Sequence, residues 1–565
     1  MTTRAADAEG FVTRDTIAYY TARARGGVGL VTVEMAAPER AGRHRKHELG
    51  IYDDRFLAGL RALVAAIHEE GARASIQLGH GGGHTRADIC GATPIAPSAV
   101  PHVVQEGTTE TVVPEAMTPA RIAETTTAFV RAAERAYAAG FDCVELHAAH
   151  GYLISQFHTP AENRRTDEWG GSLENRSRFG LEILRRTKRA VPEMGVIYRI
   201  TIDDFFPEGL SRDEGLKIAE WAAAAGADAL HITAGHYRSL PSGARMIPPM
   251  AEPDATFLHH ARAIKERVRA PVIAVGRLGD PALAMAAVRD GHADFVALGR
   301  PLLADPDWVA KVRAGAPVRR CLACNTCVDE MRLGQPLRCL VNAATGRERE
   351  FAEGRPPRGE RIAVIGAGPV GLTYASLVAK DNEVTVFERE TQIGGAFRLA
   401  PLAPTFQTVA TDAKAFAAYL ASLEAACRQA GIAFVLGVDV TRDPVRLQPF
   451  DRIVVASGAA YRNWVGPVVG ALLRTGAARW PVLRRLSSAP AVRNWFYYHA
   501  RIATGESIAR LTRSGQTVVV IGDAARPGKS ATAISQAFEA ALLGHHVVTA
   551  RFSNASAALK SGARA

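Results

Sequence analysis

Through its first 315 residues the chain alternates two hydrophobic rhythms. Short runs of consecutive apolar, β-branched residues come first: VGLVTVE (28–34), ASIQL (74–78), DCVELH (142–147), VIYRIT (196–201), ALHIT (229–233), PVIAV (271–275) and DFVAL (294–298). Unbroken runs of this length are what strands covered on both faces require. Each is followed by an Ala-rich amphipathic stretch: 53–70, 119–139, 174–190, 211–225, 254–269, 280–290 and 305–313. Strand–helix alternation repeated about eight times predicts an α/β protein built on a (β/α)8 TIM barrel, residues 1–315. The count is one strand short, because RDTIAYYTARA (14–24) reads as a helix with no strand ahead of it. The pattern therefore predicts that the first strand is missing and that the chain starts inside the first βα loop. An open barrel of non-standard form is the alternative.

Beyond the barrel the rhythm changes. A cysteine segment occupies 316–350, and FAEGRPPRGE (351–360) has the Pro, Gly and charge of a linker. RIAVIGAGPVGLTYASLVAKDNEVTVFERE (361–390) reads as strand, Gly-rich turn, helix and second strand, and QTVVVIGDAARPGKSATAISQAFEAALLG (516–544) as a later strand, loop and helix. Residues 361–551 are thus expected to form a Rossmann-like domain of FAD/NAD(P) type. Within it, 463–515 carries Arg and Trp without a βαβ pattern. The Ser/Ala-rich stretch 552–565 is expected to be disordered.

A chain of 565 residues, 47% hydrophobic and 22% charged, suits a globular enzyme of two or three domains. No apolar run is long enough for a spanning helix, and the first residues lack a signal pattern, so a cytoplasmic protein with no membrane partner is expected. The net charge of +11 raises the question of an acidic partner. The Arg residues are interleaved with Asp and Glu, however, with no basic block, so a nucleic acid is not expected. The sequence is silent on oligomeric state.

The chemistry of such a barrel sits at the C-terminal ends of its strands. There the sequence places Gln77 before GHGGG, His147, His150 and Tyr152 in ELHAAHGY, and Arg199 in VIYRIT. The same positions hold His236 in TAGHYR, and the pairs Gly276-Arg277 and Gly299-Arg300. Two Gly-Arg pairs suit a phosphate. Gln and Arg suit a heterocycle with carbonyls and an anionic nitrogen. Two His and a Tyr suit a carbonyl or anion that is polarised and then protonated.

QLGHGGG, ELHAAHGYLISQFHTPAENRRTDEWGGSLENRSRFGLEIL, VIYRIT, AVGRL and FVALGRPLLADP resemble the Old Yellow Enzyme family of FMN-containing NADH:flavin oxidoreductase barrels. The resemblance implies that Gln77 and Arg199 contact the flavin ring and that Gly276, Arg277, Gly299 and Arg300 hold the FMN phosphate. It implies that His147 and His150 bind a substrate oxygen and that Tyr152 donates the proton. His236 matches a loop where related long enzymes carry an active-site residue; a surface histidine is the plain alternative. The resemblance also places MTTRAADAEGFVT at the end of the family's first strand, so the natural chain is expected to begin some tens of residues upstream.

Four of the seven cysteines stand as C-x2-C-x2-C-x11-C: Cys321, Cys324, Cys327 and Cys339. Structural zinc usually takes two C-x2-C pairs across a loop. A compact triplet with one distant partner is nearer an iron–sulfur pattern. The long subfamily that adds four cysteines and a Gly-rich FAD domain to an FMN barrel includes 2,4-dienoyl-CoA reductase, trimethylamine dehydrogenase and histamine dehydrogenase. This chain resembles it over nearly its whole length, which implies a 4Fe-4S cluster relaying single electrons between two flavin sites.

GAGPVG after an apolar strand, with Glu388 ending the next, reads as a dinucleotide site. Gly366, Gly368 and Gly371 would approach a pyrophosphate, and Glu388 a ribose hydroxyl. IGGAF (393–397), DRIVVASGA (451–459) and Asp523 in VVVIGDA match later elements of FAD sites, with ADP as the alternative occupant. Dienoyl-CoA reductases insert a second Gly-rich unit before the last element. Residues 460–515 contain none, which leaves NAD(P)H without a recognisable site there.

These readings lead to an FMN- and iron–sulfur-dependent enzyme that reduces an activated C=C bond of a small-molecule substrate, with Tyr152 as proton donor. The alternative is an oxidative N-demethylase or amine dehydrogenase that passes electrons through the cluster and FAD to an electron-transfer protein. Against it, the loop LHITAGHYR, with Leu230 and His236, looks poor for an ammonium ion. A non-catalytic flavin-binding protein is the third reading.

Overall fold

The computed structural model describes residues 2–407, 409–462 and 465–548; the stretch 552–565, expected to be disordered, lies outside them. The chain divides into two compact units. The first comprises Met1–Cys339, Ala344–Arg349 and Gln407–Ala410; the second comprises Leu340–Ala343, Glu350–Phe406 and Thr411–Ala565.

In the first unit the seven expected strands form: β1 (Leu30–Ala37), β2 (Arg73–Leu78), β3 (Cys143–Ala148), β4 (Gly195–Thr201), β5 (Ala229–Thr233), β6 (Val272–Ala274) and β7 (Phe295–Val296). Each pairs in parallel with the next. A two-residue strand, Leu49–Gly50, adds to the far side of β1. Among the described residues β1 and β7 do not pair with each other, so the sheet curls into a barrel without closing. Leu30 and Phe295, on the two facing edges, are 37% and 58% exposed. β6 stops one residue earlier than its apolar run because Gly276 and Arg277 are both left-handed, at φ 107° and 54°, which no strand tolerates.

The eight expected helices surround the strands: α1 (Arg14–Arg25), α2 (Leu57–Glu69), α3 (Pro119–Ala139), α4 (Leu173–Ala190), α5 (Arg212–Ala224), α6 (Leu258–Lys265), α7 (Pro281–Arg289) and α8 (Trp308–Arg313). Local chemistry sets their ends. The Thr118 hydroxyl accepts from the Arg121 amide to start α3, with Pro119 in its first turn. Ser211 and Glu214 cap α5 reciprocally. Ile122, Phe129, Ala133 and Ala136 then form a buried stripe on α3. Burying one such Phe is worth about 1.5–3 kcal/mol. Between β2 and α3 an antiparallel hairpin, His102–Glu106 with Thr108–Val112, rises from the barrel mouth. Its short, half-polar alternation gave no clear strand signal.

The second unit contains β8 (Arg361–Ile365), β9 (Glu383–Glu388), β10 (Ala433–Leu436), β11 (Arg452–Val455) and β12 (Thr517–Val520). They lie in the order β10-β9-β8-β11-β12, all parallel, with the antiparallel pair Val547–Val548 at the edge. The order reverses at β8, where doubly wound sheets bind ligands. The helix α9 (Pro369–Val378) follows β8, and α10 (Ala413–Gln429) precedes β10. Between β11 and β12 stand, among other short elements, the helices α11 (Val465–Arg474), α12 (Pro481–Ser488) and α13 (Pro490–Tyr498). A small antiparallel pair, Ala459–Tyr461 with Arg501–Ala503, brackets them. That is not a βαβ unit, in agreement with the sequence. No helix among the described residues is long and apolar enough to cross a membrane.

Candidate active site

Strand register assembles the floor of the barrel mouth. His147 on β3, Arg199 on β4 and His231 on β5 pair across neighbouring strands. One layer deeper, Gln77 on β2 pairs with Glu145 on β3. Side chains two apart on a strand share a face, so Glu145 and His147 both point inward. The Glu145 carboxylate knits the layers together: Gln77 Nε2 donates to it at 2.6 Å, His231 Nδ1 lies 2.7 Å away, and Arg199 Nη1 3.8 Å away. Burial pushes Glu145 up, but His231, Arg199 and Gln77 together outweigh it and hold the carboxyl down at about 2.

Neither Glu145 nor His231 was singled out in the sequence. The signal was present: stepping back by two from His147 reaches Glu145, and the central residue of ALHIT is a polar interruption in a buried strand.

Beside His147, above this floor, lie His150 and Tyr152. The His147 ring stands 5.3 Å from that of His150 and 4.9 Å from that of Tyr152, centroid to centroid. His147 Nδ1 is buried without a hydrogen-bond partner. His150 is left-handed, at φ 67°; its amide donates to Thr201 Oγ1 at 2.9 Å, and its Nε2 meets Thr233 Oγ1 at 3.0 Å. Burial, then the Arg199 charge, depress both imidazoles well below the usual histidine range, so both are neutral at pH 7. Burial and Tyr237 push the Tyr152 phenol well above its usual range, with Arg45 opposing, so it holds its proton. Tyr237 meets Tyr152 edge to face at 5.7 Å.

A cavity of about 1040 Å³ contains Gln77, His147, His150, Tyr152 and Arg199 in its wall. It also reaches Arg73, Asp142 and Gly195, at the opposite strand ends, so it runs along the open seam as well as the mouth. The polar groups converge at the mouth. His236 is not in this wall. It is 1% exposed, with Nε2 lying 3.6 Å from Glu162 Oε2, in a separate pocket. The surface alternative for His236 therefore fails, and its backbone bridges to that of His150.

The Gly-Arg pairs lie at the ends of β6 and β7, in the cavity wall. Both guanidiniums are largely committed. Arg277 pairs with Asp254 at 2.7 Å, and Arg300 donates to Asn325 Oδ1 at 2.6 Å and to the Pro248 carbonyl at 2.8 Å. Arg277 Nε, Arg199 Nε and His231 Nε2 remain buried and unpartnered. These three atoms give a ring and phosphate of flavin type groups to meet, so the residues fit FMN.

The four cysteines lie on one segment, and none is in a disulfide. Ala323 and Asn325, flanking Cys324, are left-handed at φ 49° and 57°. Two such non-glycine residues in three positions cost about 1–2 kcal/mol each and bend the segment sharply around Cys324. Burial raises Cys327 well above the usual thiol range; Arg300 opposes, and Cys339, Cys324 and Cys321 add to the rise. Among the described residues no three His, Cys, Asp or Glu side chains converge as ligands of a single ion. A cluster in which each thiolate takes a different iron needs no such convergence.

In the second unit the Gly-rich turn is built as its sequence implies. A Cβ on Gly371 would stand 2.0 Å from the Gly366 carbonyl oxygen, so helix and turn close only without one. Gly368 begins α9, and the amide of Gly394, in IGGAF, donates to the Ala367 carbonyl at 2.8 Å. Glu388 Oε2 accepts from the Ala367 amide at 2.7 Å, which sets its carboxylate against the turn. Asp523 is bound to Arg501 and accepts from the Gly528 amide at 2.9 Å.

Comparison with known proteins agrees with both units. The family model described as NADH:flavin oxidoreductase / NADH oxidase matches residues 1–318, and an NAD(P)-binding Rossmann-like domain matches 364–420. An NADH oxidase of Thermoanaerobacter brockii is 37% identical over 81% of this chain and 70% of its own. An N,N-dimethylglycine/sarcosine dehydrogenase of Chromohalobacter salexigens is 33% identical over 74% of this chain and 61% of its own. A cinnamate reductase of Clostridium sporogenes is 31% identical over 81% and 70%. The solved structure of a 2-naphthoyl-CoA reductase complex superposes with a TM-score of 0.82 over 95% of both chains at 23% identity, a likeness of fold.

Proposed function

The chain belongs to the NADH:flavin oxidoreductase / NADH oxidase family, whose members are flavin-dependent oxidoreductases, and on that premise we propose that it reduces a C=C bond conjugated to a carbonyl or carboxyl group. The observation that carries this reading is the pairing of a free, neutral imidazole donor with a protonated phenol on one wall: His147 Nδ1 beside Tyr152. His147, with His150 held by Thr233, binds the substrate oxygen and draws electron density from the double bond. Tyr152 gives its proton to the carbon next to the carbonyl. Bound FMN supplies the hydride, and Gln77, Arg199 and the unpartnered Arg277 Nε are the groups that would hold it. Cys321, Cys324, Cys327 and Cys339 would carry a 4Fe-4S cluster for single-electron relay. The Gly-rich turn with Glu388 would take FAD or ADP.

Amine oxidation with electrons leaving to a carrier protein is the second reading, favoured by the similarity to the N,N-dimethylglycine/sarcosine dehydrogenase. The test is anaerobic turnover of the reduced holoenzyme with cyclic enones and cinnamate-type acids, compared with flavin reduction by N-methylated amino acids. Enone or enoate reduction is expected. Bleaching by the amines alone would overturn the assignment.

A further inference from the structure

A second cavity, of about 250 Å³, lies beside the mouth and has no part in the chemistry above. Its wall includes His84, His102, Glu162, His236, Tyr237 and Arg238. Glu162 is 1% exposed, and neither of its oxygens has a hydrogen-bond partner. His102 Nδ1 stands 3.6 Å from Oε1 and His236 Nε2 3.6 Å from Oε2, while Arg238 Nη1 is 3.9 Å from Oε1. All three separations exceed a direct hydrogen bond. His102 Nε2 and His236 Nε2 are buried and unpartnered as well. A buried carboxyl set between two imidazoles, in a space with room for several waters at about 30 Å³ each, is built to pass protons.

The cavity touches the active site through one residue. Tyr237 lies in both walls. Its ring stacks on His84 at 4.5 Å and meets Tyr152 at 5.7 Å. We propose that this second cavity is a proton-delivery site in which the Glu162 carboxyl resupplies the Tyr152 hydroxyl, by way of Tyr237, after each turnover. The inference rests on the reading of Tyr152 as the proton donor.

The balance is simple. Each reduced double bond takes one hydride and the Tyr152 proton, leaving a tyrosinate in a buried site. The tyrosinate takes the Tyr237 proton, Tyr237 is refilled through cavity water by Glu162, and the Glu162 carboxylate takes a proton from solvent. Burial, opposed by Arg238 and reinforced by Asp204, pushes Glu162 up to about 8, so it carries that proton at pH 7. Burial depresses His102 to about 4 and His236 to about 3, so they flank it as neutral groups. The groups facing Glu162 are thus His102 from the hairpin, His236 and Arg238 from the loop after β5, and Asp204 from the loop after β4.

The test is stopped-flow reaction of the reduced holoenzyme with a cyclic enone, under anaerobic conditions with excess dithionite to re-reduce the enzyme through several turnovers, in wild type, Glu162→Gln and Tyr237→Phe. Both variants are expected to complete the first turnover and then to run at least tenfold slower than wild type. The alkaline fall of the wild-type rate near pH 8 is expected to vanish in Glu162→Gln. Wild-type steady-state rates with an unchanged pH profile in both variants would overturn the proposal. Should Glu162→Gln not fold, Tyr237→Phe, which keeps the ring, decides alone. A Tyr152→Phe enzyme that keeps full enone activity, or a wild type with none, overturns the function reading and this inference with it. Wild-type rates in the two variants alone overturn only the inference.

Discussion

The Glu145 carboxylate reaches His231 Nδ1, two strands away, at 2.7 Å, while its other oxygen accepts from Gln77 at 2.6 Å. It is therefore the counter-charge for the Arg199 guanidinium and the brace for three groups of the site. Replacing it by Gln keeps the shape but removes the charge, leaving Arg199 buried without its anion. Removing one partner of a buried pair costs about 3–5 kcal/mol. Glu145→Gln is expected to lower the melting temperature and to lose most of its flavin on purification, read by absorbance of the released cofactor. Full flavin content would show that Glu145 has no such role.

Tyr152 and His147 should fail in different ways. Tyr152→Phe removes a proton and little else, so enone reduction is expected to fall by about 10²–10⁴ while reduction of the flavin by its donor is unchanged. His147→Ala removes an oxygen ligand that acts in both binding and activation. It is expected to raise KM and lower kcat together.

The cysteine segment gives a compositional test. Cys324→Ala and Cys327→Ala should each abolish the cluster, so iron per chain is expected to fall from about four towards zero. Iron content equal to wild type in both would exclude these ligands.

Stability should peak near neutrality for a reason specific to this core. His84, His102, His147, His150, His158, His231, His236 and His260 are all depressed by burial. Below about pH 6.5 the unfolded chain protonates them and the folded one does not, so their contribution is lost as pH falls. Glu34 and Asp204, raised to about 7, and Glu162, raised to about 8, have the opposite sign. They hold protons that the unfolded chain has released, so their contribution is lost as pH rises from roughly 4.5 through those values. Each group is worth up to about 1.4 kcal/mol per pH unit. Histidines outnumber carboxyls, so the melting temperature is expected to be highest near pH 6.5, to drop steeply by pH 5 and to decline gently towards pH 8. A flat profile from pH 5 to 7 would show that these imidazoles reach solvent.

Much of the barrel could be read because its strands are buried on both faces and its helices carry their own caps: 119–139 is marked at one end by Thr118-Pro119 and at the other by Gly140. The grouping of His147, His150 and Tyr152 was legible for a similar reason, since ELHAAHGY packs these three residues at one strand end. Long-range partners were not. Glu162 lies ten residues beyond Tyr152 and meets His102 and His236 only because a hairpin and the loop after β5 fold over it. The Gly-Arg pairs were legible in position but not in the direction of their side chains, since Asp254 and Asn325 are distant in sequence from the arginines they hold.

Arg300 has a consequence of its own. It lies in the wall of the large cavity, bonds to Asn325 between the cysteines, and acts on the thiols of Cys324 and Cys327. One fixed positive charge thus faces two places where electrons are expected to arrive. A nearby cation stabilises whatever gains negative charge, so with FMN and a cluster bound it would raise the midpoint potential on both sides at once. Replacing Arg300 with Leu should make flavin and cluster both harder to reduce, shifting the two potentials downward together, where loss of a group serving one centre would move only one.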